Sequence, residues 1–300
     1  MKKTKTASIN ELLTSKFVLI PGNKILKLIS KNVNSKDFDS LSLLWNSTIA
    51  QTNANHEPVY PHKKSLVSYY CPIENIRSSG KFTSIEHIDP TTIGDTSYYR
   101  IHKAWPIEAD NNIILKNIRS FLFDILKGVL NTNNINNFEA MQTAYRVTMN
   151  LNTNEDGDPG PEGVHQDSCV VTAISLINRN NLTTSSATNR IWTLEQDYGK
   201  SKSNDLISDK LLYQGTLKNP LDTLILLDRE VKHEVTSIEP EDKNHSAIRD
   251  VLTYEIRIKQ NHNIDKESND EEEKCGQPSR FEALLWEEAE AAEKKKKQGK

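Results

Sequence analysis

The chain has little of what usually announces a function class. Its 300 residues include only three cysteines, Cys71, Cys169 and Cys275, with no CxxC spacing. So sparse and odd a set excludes a disulfide framework and points to a reducing compartment. No apolar run approaches the roughly 20 residues needed to span a bilayer. The basic start, Met1-Lys2-Lys3-Thr4-Lys5, lacks the apolar stretch of a signal peptide. These absences predict a cytoplasmic protein with no membrane partner. Positive charge is not in excess either: the net charge of -3 argues against a generally basic surface, and so against nucleic acid as a partner. Hydrophobic residues are scarce at 36%, and the mean hydropathy is -0.63. Abundant asparagine and lysine dilute the apolar fraction without erasing its pattern.

That pattern divides the chain. Residues 8–16 and 36–52 read as short helices, with an extended apolar patch at Phe17–Ile20 and a turn at Pro21-Gly22-Asn23. Residues 53–105, rich in Pro, Ser, Tyr and His, give no clear period. Ile114, Ile118, Phe121, Leu122, Ile125 and Val129 recur at helical spacing, which predicts a core-facing helix over 111–130 capped by Asp110 or Asn111. From Gln142 the character turns extended. Tyr145, Val147 and Met149 alternate with Arg146, Thr148 and Asn150, and Asp156–Pro161 marks a turn. Val164–Ile177, Leu221–Leu227, Val231–Ile238 and Ile248–Ile258 read as further strands. Residues 178–209 read as loop with one short apolar patch at Ile191–Leu194. The fold class expected is α+β with a mainly β core, a sandwich or barrel flanked by N-terminal helices. Residues 1–260 form one domain in this reading. Residues 261–300 form a charged tail, acidic at Asp270–Glu273 and basic at Lys294–Lys297.

Within the β half stands Gly163-Val164-His165-Gln166-Asp167, and a second histidine, His233, follows a later apolar run. Alternation along a strand sends His165 and Asp167 to one face. Two imidazoles and one carboxylate suit Fe(II) with open coordination positions. The same three groups with water suit zinc, and a His-X-Asp string also arises by chance. Arg249 begins the next strand, where a guanidinium pairs either with a ligand carboxylate or with a neighbour such as Glu239 or Asp250.

The segments Pro161–Asp167, Ile177–Asn180, Leu217–Leu224, Asp228–Thr236 and Ile248–Leu252 together resemble a bacterial 2-oxoglutarate/Fe(II) dioxygenase family that includes the L-isoleucine dioxygenases. Several separated segments in order are far more specific than one His-X-Asp. The resemblance covers about 140–258. It implies a double-stranded β-helix (a jelly roll, cupin-like) in which His165, Asp167 and His233 hold Fe(II) and Arg249 binds the distal carboxylate of 2-oxoglutarate. It implies an oxidoreductase, a hydroxylase that consumes O2 and 2-oxoglutarate, acts on a free L-amino acid or related small molecule, and is helped in vitro by ascorbate. Arg146 matches an arginine-bearing segment of the family, as a substrate-binding residue or a structural ion pair. Alternatives to a free amino acid are a protein or nucleic-acid substrate, or a cupin-like metal-binding protein without turnover.

The chain departs from the family pattern at three places. Ser168 and Glu234 stand where glycine is usual, and Thr184–Asn189 replaces a loop with a Gly-Gly pair. None removes a ligand, but the loop and Glu234 bear on substrate choice. Trp192 and Tyr198 are candidates to cover the pocket.

Overall fold

A computed structural model describes residues 2–29, 33–50, 63–71, 76–78, 82–86, 98–102, 109, 111–132, 138–152, 157–160, 163–167 and 169–258. The expected tail, Cys275 and Ser168 lie outside these residues. Four α-helices are described: α1 (Lys2–Ser15), α2 (Gly22–Ile29), α3 (Ser35–Asn46) and α4 (Ile113–Thr132). The strands in chain order are β1 (Phe17–Ile20), β2 (Ile49–Ala50), β3 (Lys63–Cys71), β4 (Ile76–Ser78), β5 (Phe82–Glu86), β6 (Tyr98–His102), β7 (Phe138–Met149), β8 (Val171–Asn180), β9 (Thr188–Trp192), β10 (Leu211–Thr216), β11 (Thr223–Leu226), β12 (Lys232–Val235) and β13 (Ala247–Ile258).

A large antiparallel sheet runs β1-β11-β8-β13-β7-β3-β2, and a smaller one runs β10-β9-β12. The two face each other. Leu176, Leu224, Leu226 and Val251 of the large sheet pack against Ile191 of the small one. This is the expected double-stranded β-helix. The opposite face of the large sheet is covered by helices. Ile114, Ile118, Leu122, Ile125 and Val129 of α4 are buried with Ala140, Ala144, Ala173, Leu252 and Ile256. Alanines on β7 and β8 let the helix approach the sheet closely.

The helical period of α4 is realised, but its cap is Asn112, whose Oδ1 accepts the N–H of Ile114 at 2.9 Å and of Leu115 at 3.2 Å. Pro21-Gly22 begins a helix rather than a free turn. The reason is distant in sequence: the Gly22 N–H donates to Asp222 Oδ1 at 2.8 Å, and a Cβ there would meet the Pro220 carbonyl oxygen at 2.0 Å. β9 arises where loop was expected, and β10 in a stretch that the sequence pattern left unassigned. β9 carries Ile191 into the core, and β10 pairs with it. The expected strand over 164–177 is broken: residues 166–167 and 169–170 lie outside the ladder before β8 begins. Trp45 Nε1 of α3 donates to the carbonyls of Tyr145 at 3.1 Å and Val251 at 3.2 Å, fastening the helix to β7 and β13.

Candidate metal centre

The break in the strand shapes the site. Val164 bridges to Gly199 and His165 to His233, so residues 164–165 add a short strand beside β12. The imidazole of His165 therefore starts from the same ladder as that of His233. Beyond it the chain turns, and Asp167 swings its carboxylate toward both rings. The Asp167 Oδ1 lies 3.5 Å from His165 Nε2, and its Oδ2 lies 3.4 Å from His233 Nε2. One ligand atom from each of the three residues falls within 4.8 Å of the others. Thr172 Oγ1 donates to Asp167 Oδ2 at 3.4 Å.

Hydrogen bonds prepare these groups for a cation. Nδ1 of His165 sits 2.7 Å from the Gly163 carbonyl oxygen. A carbonyl only accepts, so the ring carries its proton on Nδ1 and leaves a lone pair on Nε2. His233 Nδ1 is buried and makes no directed hydrogen bond, yet Asp228 Oδ1 lies 3.5 Å away. At that length the contact is electrostatic rather than a formed hydrogen bond. The side chains of His165, Asp167 and His233 retain 21%, 28% and 9% of their exposure, so the group opens to one side. Two neutral imidazoles and a carboxylate on one open face fit a divalent metal with vacant positions.

Arg249 lies on the same face of β13 as Val251, which packs in the barrel core. It is buried, and no carboxylate or other partner engages its guanidinium among the described residues. Its cross-strand neighbour is Arg179 of β8. Burial, and then the Arg179 charge, lower the Arg249 pKa from the ordinary guanidinium range to about 10. A buried cation beside another cation is costly unless an anion compensates it. Arg179 itself is tied to the 183–186 loop, donating to the carbonyls of Ser186 at 3.0 Å and of Thr183.

Arg146 is not brought to this group. Asp250 holds it bidentately at 2.7 and 2.8 Å, Asn46 Oδ1 takes a third N–H at 2.8 Å, and all three lie on the helix-covered face. Its ion-pair reading is the one realised in the geometry. Tyr145, on the other face, joins the barrel core. Glu234 also faces away from the triad, paired with Arg190 Nη1 at 3.1 Å. Trp192 is fully buried opposite Lys232 in β12. Tyr198 donates to Gln166 Oε1 at 3.0 Å and carries Lys232 Nζ 3.8 Å above its ring, fastening the 193–200 loop beside the site. Cys169 is a buried small group with its Sγ 3.7 Å from Glu255 Oε2. Sequence reasoning missed Asp228 and Gly163 as supports. A polar residue closing the apolar run Leu221–Leu227 was the available signal for the first.

No helix among the described residues is long and apolar enough to cross a membrane. Comparison of the sequence with curated proteins finds no match. Among solved structures, the Fe(II)/(alpha)ketoglutarate-dependent dioxygenase TqaL is similar, with 18% identity, a TM-score of 0.65, and 86% of this chain and 89% of that one covered. A bsmA homolog from Methylobium petroleophilum PM1 gives 15% identity, a TM-score of 0.62, and coverage of 85% and 93%. IDO from Bacillus thuringiensis gives 16%, 0.58, and coverage of 85% and 99%. At these identities the likeness is one of fold. The family is shown by a different comparison: the model of the 2OG-Fe dioxygenase family matches residues 80–255, a span that includes the triad and Arg249 and exceeds half the chain. This chain is a member of that family, an oxidoreductase whose chemistry uses Fe(II), 2-oxoglutarate and O2.

Proposed function

We propose that the enzyme hydroxylates an unactivated C–H bond of a free L-amino acid or related small molecule, with release of succinate and CO2. In this reading His165, Asp167 and His233 hold the Fe(II), and Arg249 takes the distal carboxylate of 2-oxoglutarate. The observation that carries the reading is a convergent His-Asp-His group in the same barrel as a buried arginine without an anion. When bound, the metal and cosubstrate supply the oxidising chemistry. The chain's own residues supply placement. The Gly163 carbonyl holds the proton of His165 on Nδ1. Arg249 fixes the far end of the dicarboxylate by paired hydrogen bonds. Leu224, Leu226, Val251 and Ile191 keep water from the barrel beneath. The small-molecule substrate is supported by the resemblance of the segments around His165, His233 and Arg249 to the family that includes the L-isoleucine dioxygenases.

The test is succinate formation by the purified chain with Fe(II), ascorbate and 2-oxoglutarate across a panel of L-amino acids. Substrate-dependent turnover is expected. Absence of stimulation across a broad panel would overturn the substrate class. Anaerobic addition of 2-oxoglutarate to the Fe(II) form separates this from a metal-binding protein without turnover. A charge-transfer band is expected, and a silent titration counts against the site itself.

A further inference from the structure

Asp228 lies between β11 and β12, ahead of His233, and its side chain is fully buried. A carboxylate removed from water needs donors at its oxygens. Oδ1 accepts the backbone N–H of Asp167 and Oδ2 that of Cys169, each at 3.0 Å. The Asp228 carbonyl accepts Gln166 Nε2 at 2.6 Å. All three donors belong to the loop that carries the acidic ligand. The same Oδ1 stands 3.5 Å from His233 Nδ1, the buried ring nitrogen that makes no directed hydrogen bond. One side chain therefore touches the supports of two of the three ligands.

We propose that Asp228 is a positioning residue of the metal centre. It clamps the Asp167 loop and, as acceptor, keeps His233 in the Nδ1–H form with its Nε2 lone pair facing the metal. The inference rests on reading His165, Asp167 and His233 as the metal site. The two histidines reach the same tautomer by different acceptors. For His165 it is a carbonyl at 2.7 Å; for His233 it is a carboxylate, which strengthens the ring as a ligand. A shortening of roughly 0.6 Å brings the 3.5 Å contact to ordinary N–H···O length. Asp228→Asn keeps the shape but turns one acceptor into a donor. That donor faces either the backbone N–H groups or the His233 N–H.

The experiment is Co(II) titration of the full chain, wild type against Asp228→Asn, with proton NMR of the Co(II) forms. Co(II) affinity should fall about 10- to 100-fold in the variant, the usual loss for an outer partner of a metal ligand. The KM for 2-oxoglutarate at saturating metal should stay unchanged. The exchangeable, metal-shifted Nδ1–H signal of His233 should move or vanish, while that of His165 stays. A merely structural role would lower the melting temperature and leave that signal in place. Unchanged affinity with both signals intact overturns the inference. Wild-type protein that takes up no Co(II) overturns the metal reading, and this inference with it. Should Asp228→Asn fail to fold, the wild-type Co(II) form decides. A His233 Nδ1–H protected from solvent exchange supports the role, and coordination of His233 through Nδ1 overturns it.

Discussion

His165 and His233 are bonded to each other through their backbones. Each N–H donates to the other's carbonyl at 2.9 Å, and the ring centroids stand 4.3 Å apart. The separation of the two proposed ligands is thus set by an antiparallel ladder before any cation arrives. His233→Ala removes a proposed ligand while keeping that ladder. Melting without metal should shift by only a few degrees, whereas the stabilisation given by added Fe(II) or Co(II) should disappear. Turnover should fall more than about 100-fold, beyond the loss expected of an outer partner. Calorimetry with and without metal, beside succinate formation, checks both.

Arg249, proposed to bind 2-oxoglutarate, is held at the expense of stability. Its folded pKa, about 10, lies below the ordinary guanidinium range. The folded state therefore binds this proton less tightly than the unfolded chain. The resulting cost is fully present below about pH 10 and is relieved as pH rises from there toward the ordinary guanidinium range. At neutral pH the group is charged, so its removal should help the protein without cosubstrate. Arg249→Met should raise unfolding stability in denaturant by on the order of 1–3 kcal/mol. The KM for 2-oxoglutarate should rise at least ~100-fold, because a charge-assisted bidentate contact is lost. A variant less stable than wild type at pH 7 would contradict the assignment of an unpaired receptor.

Much of this was legible in the sequence, for physical reasons. β11 is an apolar run because it is buried in the middle of a sheet, and α4 shows its period because one face meets that sheet. His165, Asp167, His233 and Arg249 stand out as residue types that soluble cores avoid without cause. What stayed hidden depends on partners far along the chain. Gly22 starts a helix because Asp222 reaches back to it. β10 alternates half-buried and exposed positions and so lacks an apolar run. Asp228 acts on backbone N–H groups, which every sequence has and which only the fold brings near. The partner of Arg146 depends on cross-strand register, which places Asp250 directly opposite.

That register gives a test of Arg146. Asp250 is almost wholly buried, and its other side-chain contact is Asn178 Nδ2 at 3.3 Å. Arg146→Met leaves a buried carboxylate without its cation and should cost about 2–4 kcal/mol. Steady-state constants for 2-oxoglutarate and for the primary substrate, measured well below the melting transition, should not change. A raised substrate KM with an unaltered melting temperature would instead return Arg146 to substrate binding.

Glu234 departs from the glycine that the family resemblance leads one to expect, and its carboxylate meets Arg190 on the face away from the triad. Arg190 also holds Gln214 at 2.9 Å and Ser201 at 3.0 Å, tying β9 to β10 and to the covering loop. Glu234→Gly should lower stability by about 1–3 kcal/mol, from the lost partner and the added backbone freedom. The ranking of amino-acid substrates should be the same as wild type. A changed ranking at equal stability would show that this departure does select the substrate.

Gly163 is where the backbone itself supports a proposed ligand. Its φ is 74°, a conformation that side chains resist, and a Cβ would come within 2.4 Å of the Gly199 carbonyl carbon. The neighbouring Val164 exchanges hydrogen bonds with Gly199 at 2.8 and 3.1 Å, so nothing nearby can give way without breaking that bridge. The Gly163 carbonyl is also the acceptor that sets the His165 tautomer. Gly163→Ala must therefore push the 163–165 strand off the 199 loop and turn His165 away from Asp167 and His233. The expected result is weaker Co(II) binding by at least ~10-fold together with a lower melting temperature, and added metal should recover only part of the activity. Equal metal affinity in Gly163→Ala and wild type would mean that His165 is placed by its bridge to His233 alone.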